Sequence, residues 1–221
     1  MMTDKKTIAV IGGTGHEGPG LAARWAKSGQ YRVIIGSRKL EKAQQVAAEW
    51  NEKLGAELLT GMQNEDAVRA CDIAVLTVPY KFHGDTLAGL KDLLQGKILV
   101  DVTVPLKPPK VSIAHIPPEG AAGQQAQALL GDGVRVVSAF QNIGAGHLSD
   151  VDHPIDCDVL VCGNNKDAKK EVIAMAQAAG TRGIDAGPIQ NAAIIEGLTA
   201  VLIGINIRHK AKAAGIKITG I

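Results

Sequence analysis

The sequence predicts an α/β fold, a doubly wound and mostly parallel sheet that carries a small C-terminal helical part. Three observations predict it. Short, almost unbroken apolar runs recur along the 221 residues, and strands this apolar are normally covered on both faces, as parallel strands are. Stretches with helical periodicity alternate with them, the rhythm of strand–helix–strand crossovers, which are right-handed by default. Glycine ends the first two runs, at Gly12 and Gly36.

Residues 7–11 (TIAVI) read as the first strand, closed by Gly12-Gly13. A helix over about 19–28 stops at Gly29, and residues 32–35 (RVII) form the second strand. Leu40, Ala43, Val46, Ala47, Trp50 and Leu54 recur at helical spacing, so about 40–54 is an amphipathic helix. Residues 57–60 read as a third strand and 65–70 as a short helix. Residues 73–78 (IAVLTV) and 98–102 (ILVDV) are apolar strands with helical sequence between them. The rhythm then breaks, because five of the nine prolines (105, 108, 109, 117 and 118) crowd into residues 105–118. This run follows a predicted strand, on the side where ligands bind in open α/β sheets. A loop over a site and a rigid surface connector are equally compatible with it. The alternation resumes with strands over 134–139 and 159–162, a helix over about 167–179 and a strand over 183–186. An apolar helical stretch beginning near Ile189 closes the chain.

Composition narrows the function classes. Apolar residues make up 46% and charged residues 21%, enough core and too little charge for a disordered chain. The net charge of +2 comes from 24 basic and 22 acidic residues interspersed along the chain, with no basic stripe. Six aromatic rings cannot supply the stacking platforms of single-strand binders, so a nucleic-acid partner is not expected. Cys71, Cys157 and Cys162 form no C-x-x-C pair and read as small core residues in a reducing compartment. Residues 1–6 show no signal-peptide apolar region. The longest apolar stretch, 192–207, carries Glu196 and Asn206 and falls short of the ~20 residues of a bilayer span. It reads as a buried helix at a subunit interface, and the expectation is a soluble cytoplasmic homodimer without a membrane partner.

Gly13-x-Gly15-x-x-Gly18 follows the first strand and opens the first helix. Alone this pattern is weak, since glycine-rich turns are common. Here strand, loop and helix stand in the order a dinucleotide site requires. The first glycine allows the tight turn, the second lets backbone approach a pyrophosphate, and the third permits close helix–strand packing. The free N–H groups of the helix start then face the anion.

The second strand decides which dinucleotide. NAD binders place an acid about 20 residues on, against the ribose 2′-hydroxyl. Counting that far from Gly18 reaches Gly36-Ser37-Arg38-Lys39, with no carboxylate. Arg38 offers planar charge-assisted bonds to a 2′-phosphate, Ser37 a hydroxyl, and Lys42 a charge one turn into the next helix. The plainer reading is a solvated helix start, but cations there oppose the macrodipole and call for an anion. NADP is therefore expected. Thr77-Val78-Pro79 ends the fourth strand, where the nicotinamide half would run; a plain strand terminator reads the same.

Taken together, several blocks carry a resemblance. They are Gly12-Gly13-Thr14-Gly15-x-x-Gly18, Gly36-Ser37-Arg38 with Lys42-Ala43, and Thr60-Gly61-Met62-x-Asn64-Glu65-Asp66-Ala67. Cys71-Asp72-Ile73-Ala74-Val75-Leu76-Thr77-x-Pro79, Val161-Cys162-Gly163 and Asp185-Ala186-Gly187-Pro188 follow in order. The series resembles the NADPH-dependent coenzyme F420 reductases (F420H2:NADP oxidoreductases) over nearly the whole chain.

The resemblance implies reversible hydride transfer between NADP(H) and coenzyme F420, an 8-hydroxy-5-deazaflavin co-substrate. It implies that Gly13, Thr14, Gly15, His16, Glu17, Ser37, Arg38 and Lys42 hold the phosphates and adenosine ribose. Thr77, Val78, Pro79 and Ala145 then lie on the nicotinamide side, and Gln141, Ile143 and Thr199 at the deazaflavin. It also implies a Rossmann-type NADP-binding domain over 1–140 and a smaller part over 141–221 that completes the sheet and the deazaflavin site. Two departures fall at the deazaflavin end: Gln141 stands where archaeal-type members carry histidine, and Gly197 where they carry serine.

Direct ring-to-ring transfer needs no general base, and no catalytic side chain is assigned. No Ser/His/Asp arrangement or metal-ligand cluster is visible, so no metal is expected. The six histidines (16, 83, 115, 147, 153, 209) are scattered, and all but His16, inside the loop, read as surface or structural. Two alternatives remain. A reductase of a small carbonyl or imine would need a proton donor, for which Lys107 and Lys110 are better placed than the solvated-looking Lys166, Lys169 and Lys170. A non-catalytic NADP sensor would lack an acceptor pocket. With so few aromatic rings, the deazaflavin is expected to lie on the nicotinamide with aliphatic residues elsewhere.

Overall fold

The computed structural model describes residues 5–221. The elements run β1 (Thr7–Ile11), α1 (Gly18–Lys27), β2 (Arg32–Ser37), α2 (Leu40–Leu54), β3 (Leu59–Gln63), α3 (Asn64–Ala70), β4 (Ile73–Leu76) and α4 (His83–Leu94). They continue β5 (Ile98–Asp101), α5 (Ala122–Leu130), β6 (Arg135–Ser138), α6 (Ala145–Ser149), β7 (Asp158–Gly163), α7 (Lys166–Ala178), β8 (Arg182–Asp185) and α8 (Ala192–His209). One eight-stranded sheet has the order β3-β2-β1-β4-β5-β6-β7-β8. All neighbours are parallel except β6 and β7. The order reverses between β1 and β4, the switch point at which such sheets bind ligands in the crevice beyond the strand ends.

The alternation of strand side chains explains the double cover. Ile8 and Val10 of β1 point into one core with Trp25, Val75 and Val172, while Ala9 and Ile11 point into a second with Leu87, Leu99 and Ile195. Strands buried on both faces therefore carry nearly unbroken apolar runs, as residues 8–11 of β1 do.

Two helices, α5 and α6, were not foreseen, and three expectations are corrected. The third strand starts at Leu59 and not at 57, because Asn51 claims the backbone before it: its Oδ1 accepts from the N–H of Leu58 at 2.9 Å and Leu59 at 2.8 Å. Lys169 is buried rather than solvated, its Nζ bonded to Asp185 Oδ1 at 2.6 Å. The C-terminal apolar helix is only half covered: Ile195, Glu196 and Leu202 are buried, whereas Ile194 (67% exposed) and Ile207 (65%) face outward. Continuous from Ile189 to His209, it has the length and apolar character to cross a membrane by those criteria alone. The three cysteines are buried and free.

One buried cation fixes the geometry behind the site. Arg24 of α1 donates to the carbonyls of Leu148 (3.1 Å), Ala179 (2.8 Å), His147 (2.7 Å), His153 (2.9 Å) and Asp150. These carbonyls lie in the last turn of α6 (His147, Leu148) or just beyond α6 and α7, where helix ends leave carbonyls without intrahelical partners, and a guanidinium has the donors to take them. The five-residue α6 is thereby clamped against α1, where a Cβ on Gly20 would lie 2.8 Å from Leu148.

Candidate active site

The loop after β1 is built for close approach. Gly13 N–H donates to the carbonyls of Val10 (3.1 Å) and Gly36 (2.9 Å). A Cβ on Gly13 would lie 2.6 Å from the Val10 carbonyl, and one on Gly18 would lie 2.7 Å from Gly13 Cα. Both glycines are demanded by the chain's own packing. Gly15 is different: an added Cβ would meet nothing nearer than 3.7 Å. The space beside it is open, which suits an external group lying against the backbone. Behind it, α1 starts with no side-chain cap and a proline in its first turn, so its leading N–H groups are free for an anion. Thr14 is half-buried, Gly15 and His16 are exposed, and Glu17 is half-buried. Burial pushes the Glu17 carboxyl up to about 7.

Thr77-Val78-Pro79 meets this loop across the switch point. Thr77 N–H and Oγ1 both donate to the Ile11 carbonyl, at 3.0 and 3.1 Å. A Cβ on Gly12 would lie 2.5 Å from Val78 Cγ1. At the end of β2, Ser37 is buried and its Oγ accepts from Lys39 N–H at 3.3 Å, while Arg38, Lys39 and Lys42 are exposed.

The other end of the crevice is buried. Phe140 turns the chain after β6 with a left-handed backbone (φ 74°), anchored by its ring edge-on to Trp25 at 5.6 Å. That turn brings Gln141 inside, where Nε2 donates to the Asp101 carbonyl (2.8 Å) and Ser138 Oγ (2.7 Å). Thr199 Oγ1 of α8 donates to the Gln141 carbonyl at 2.8 Å, so these two expected substrate residues are in contact. Ile143 is buried beside them and Ala145 opens α6. Among the described residues, Gln141 Oε1 has no hydrogen-bond partner.

Beneath Gln141 lies a charged network. Ser138 Oγ donates to Glu196 Oε1 at 3.4 Å, and Glu196 accepts from Ala122 N–H (2.8 Å) and Gly123 N–H (3.1 Å) at the start of α5. Asp101 accepts from Thr103 N–H at 3.0 Å and pairs with His83 Nε2 at 2.7 Å. Burial, then the nearby Asp101 charge, push Glu196 up to about 7 against the hydrogen bonds it accepts. Burial alone would lower the His83 pKa, but the bond to Asp101 and the charges of Asp101 and Glu196 raise it overall.

Sequence reasoning missed His83, Asp101, Ser138 and Glu196. The signal was present only as polar intrusions: Asp101 ends an apolar strand and Glu196 interrupts an apolar helix. Among the described residues, no cluster of His, Cys, Asp or Glu has the arrangement to hold a metal ion.

A mostly parallel sheet with a phosphate-type loop at its switch point defines a Rossmann-type dinucleotide-binding protein. Its sequence relatives are narrower in kind. Residues 7–105 match the profile of the family described as NADP oxidoreductase, coenzyme F420-dependent. The chain is 44% identical to the F420-dependent NADP reductase of Methanocaldococcus jannaschii, over 97% of this chain and 98% of that protein. It is 42% identical to the reductase of the same name from Methanothermobacter thermautotrophicus, over 97% and 95%. Among solved structures, an Arthrobacter sp. FB24 protein assigned as an F420-dependent NADP reductase superposes with a TM-score of 0.79. That match has 26% identity and covers 96% of this chain and 99% of the other. The chain belongs to the coenzyme F420-dependent NADP oxidoreductase family.

Proposed function

We propose that this protein transfers hydride reversibly between NADP(H) and coenzyme F420. The observation that carries the reading is the end-to-end similarity to F420-dependent NADP reductases, at 44% identity over 97% of the chain. The residues present fit a dinucleotide, since Gly15 leaves open space before an uncapped helix start.

When both are bound, the nicotinamide and deazaflavin rings supply the chemistry, a hydride passing from carbon to carbon. The chain binds and orients. Gly13, Thr14, Gly15, His16 and Glu17 line the pyrophosphate, with the α1 N–H groups as donors. Ser37, Arg38 and Lys42 take the 2′-phosphate, where the Arg38 fork offers paired N–H donors. Thr77, Val78, Pro79 and Ala145 border the nicotinamide, and Gln141, Ile143 and Thr199 border the deazaflavin. Holding two reactants at reacting distance is able to supply roughly 7–11 kcal/mol of barrier lowering, enough that no side-chain acid is required. Lys107 and Lys110, the donors a carbonyl or imine reductase would need, are exposed on the proline-rich segment.

Residues 1–140 are the NADP-binding part and 141–221 the part that completes the deazaflavin site. The protein works as a cytoplasmic homodimer, which covers the outward face of α8; Ile194 and Val201 are 67% and 45% exposed and lie two turns apart on it. Light scattering on Ile194→Glu checks this, with a fall to monomer mass expected. The deciding experiment mixes protein, NADPH and oxidised deazaflavin. The visible deazaflavin band bleaches if the reading is right, and an unchanged band across a broad pH range overturns it.

A further inference from the structure

Phe82 is one of two phenylalanines in the chain and stands in the single 3-10 turn Tyr80–Phe82 between β4 and α4. Two cations lie on its ring. Arg38 Cζ is 5.2 Å from the ring centre and Lys81 Nζ is 4.7 Å from it. β2 and β4 flank β1 in the sheet, so the turns that leave them meet across the phosphate loop. Lys39 and Lys42 add two more charges at the start of α2.

Among the described residues, none of Arg38, Lys39, Lys42 and Lys81 forms a salt bridge. Glu41, the acid in the first turn of α2, pairs with none of them. The helix start between these cations also has no side-chain cap. Cations gathered at a helix N-terminus repel one another and oppose its macrodipole, and a polyvalent anion relieves both. A phenyl ring contributes nothing to that anion directly. It gives Arg38 a face to lie on, which limits the rotamer freedom lost on binding and leaves the N–H edges of the fork free.

We propose that Lys81 is a direct ligand of the adenosine 2′-phosphate and that Phe82 is a positioning residue that sets Arg38 for it. Selectivity for NADPH over NADH is then shared between the turn after β2 and the turn after β4. The inference rests on the reading of Ser37, Arg38 and Lys42 as the 2′-phosphate side.

Equilibrium binding tests it without turnover, using NADPH and NADH by fluorescence, and 2′,5′-ADP and 5′-AMP by calorimetry. Lys81→Ala is expected to weaken NADPH and 2′,5′-ADP about tenfold and leave NADH and 5′-AMP unchanged, the size of one lost charge-assisted contact. Phe82→Leu is expected to weaken NADPH by roughly threefold, with no further loss when combined with Arg38→Ala and with recovery in Phe82→Tyr. Equal effects of Lys81→Ala on both nucleotides, or none on either, overturn the role of Lys81. Arg38→Ala is measured alongside. If it collapses the NADPH preference while Lys81→Ala does not, only this inference fails. If neither variant changes the preference, the reading of the β2 turn fails with it.

Discussion

The two ends of the crevice are built in opposite ways. The proposed adenosine end is largely exposed, and its groups are near neighbours in sequence: buried Ser37 closes β2, and exposed Arg38, Lys39 and Lys42 follow it. The proposed deazaflavin end is buried and draws Asp101, Ala122, Ser138, Gln141, Glu196 and Thr199 from β5, α5, β6 and its following turn, and α8. An exposed cationic site keeps its groups hydrated, so each is cheap to hold and cheap to lose. A buried polar network is stable only if its members are paired, so removing one strands the others. Substitutions at the first end should therefore change binding with little effect on folding, and substitutions at the second should change both.

The largest effect is expected at Glu196. Glu196→Ala leaves the buried N–H groups of Ala122 and Gly123 without an acceptor, at a cost of about 3 kcal/mol or more in denaturant unfolding. Arg38→Ala should stay within about 0.5 kcal/mol of the parent. Comparable losses for the two variants would break the contrast between the ends. Proton linkage sharpens it. Burial raises Glu196 from 4.5 to about 7, so the folded state favours the protonated acid. Its contribution is complete below pH 4.5 and is lost as pH rises through about 7, a decline of roughly 3 kcal/mol. Glu196→Gln cannot ionise and should flatten that part of the stability profile. An unchanged slope in this variant would mean that Glu196 is not the titrating group.

The glycine loop after β1 lies between the two regimes and lets packing be separated from the proposed binding role. Gly18→Ala would put a Cβ 2.7 Å from Gly13 Cα and 2.9 Å from Thr77 Oγ1. A clash with backbone forces movement, and a loss of roughly 1–3 kcal/mol in stability is expected. Gly15→Ala has nothing within 3.7 Å to collide with. It should fold as the parent does and bind NADPH several-fold more weakly, because its methyl occupies space meant for the ligand. Normal NADPH affinity in Gly15→Ala would show that the open space beside that residue is not used.

What the sequence disclosed follows the same division. The strands were legible because both faces are buried, which leaves unbroken apolar runs such as 98–100 (ILV). The glycine loop and the Ser37-Arg38 turn were legible as turns because glycine spacing and the end of the second strand mark them along the chain. Other features depend on partners far away in sequence. α6 is five residues long and owes its place to Arg24, more than a hundred residues earlier. α5 carries four polar or glycine residues in nine, and its start is held by Glu196 of α8. Lys169 looked solvated within a polar run, and only the fold sets Asp185 against it. His83 and Asp101 acquire their pairing in the same way, from an α4 start packed against the end of β5.

The smallest effect expected is a difference in how the two halves of the dinucleotide respond to pH. A phosphate monoester takes its second charge near pH 6, so contacts from the Arg38 guanidinium to a 2′-phosphate strengthen as pH rises past that point. Glu17, within the proposed pyrophosphate loop, is raised to about 7 by burial. It is neutral below that value and an anion above it, so the loop becomes less hospitable to phosphate as pH rises further. NADPH affinity should then pass through a maximum between pH 6 and 7, with limbs of roughly two- to fivefold. NADH lacks the 2′-phosphate and should show only the falling limb. Glu17→Gln should remove the falling limb for both nucleotides, and Arg38→Ala should flatten only the rising limb for NADPH. If the falling limb persists in Glu17→Gln, the carboxyl does not face the bound phosphates, and its high pKa belongs to folding alone.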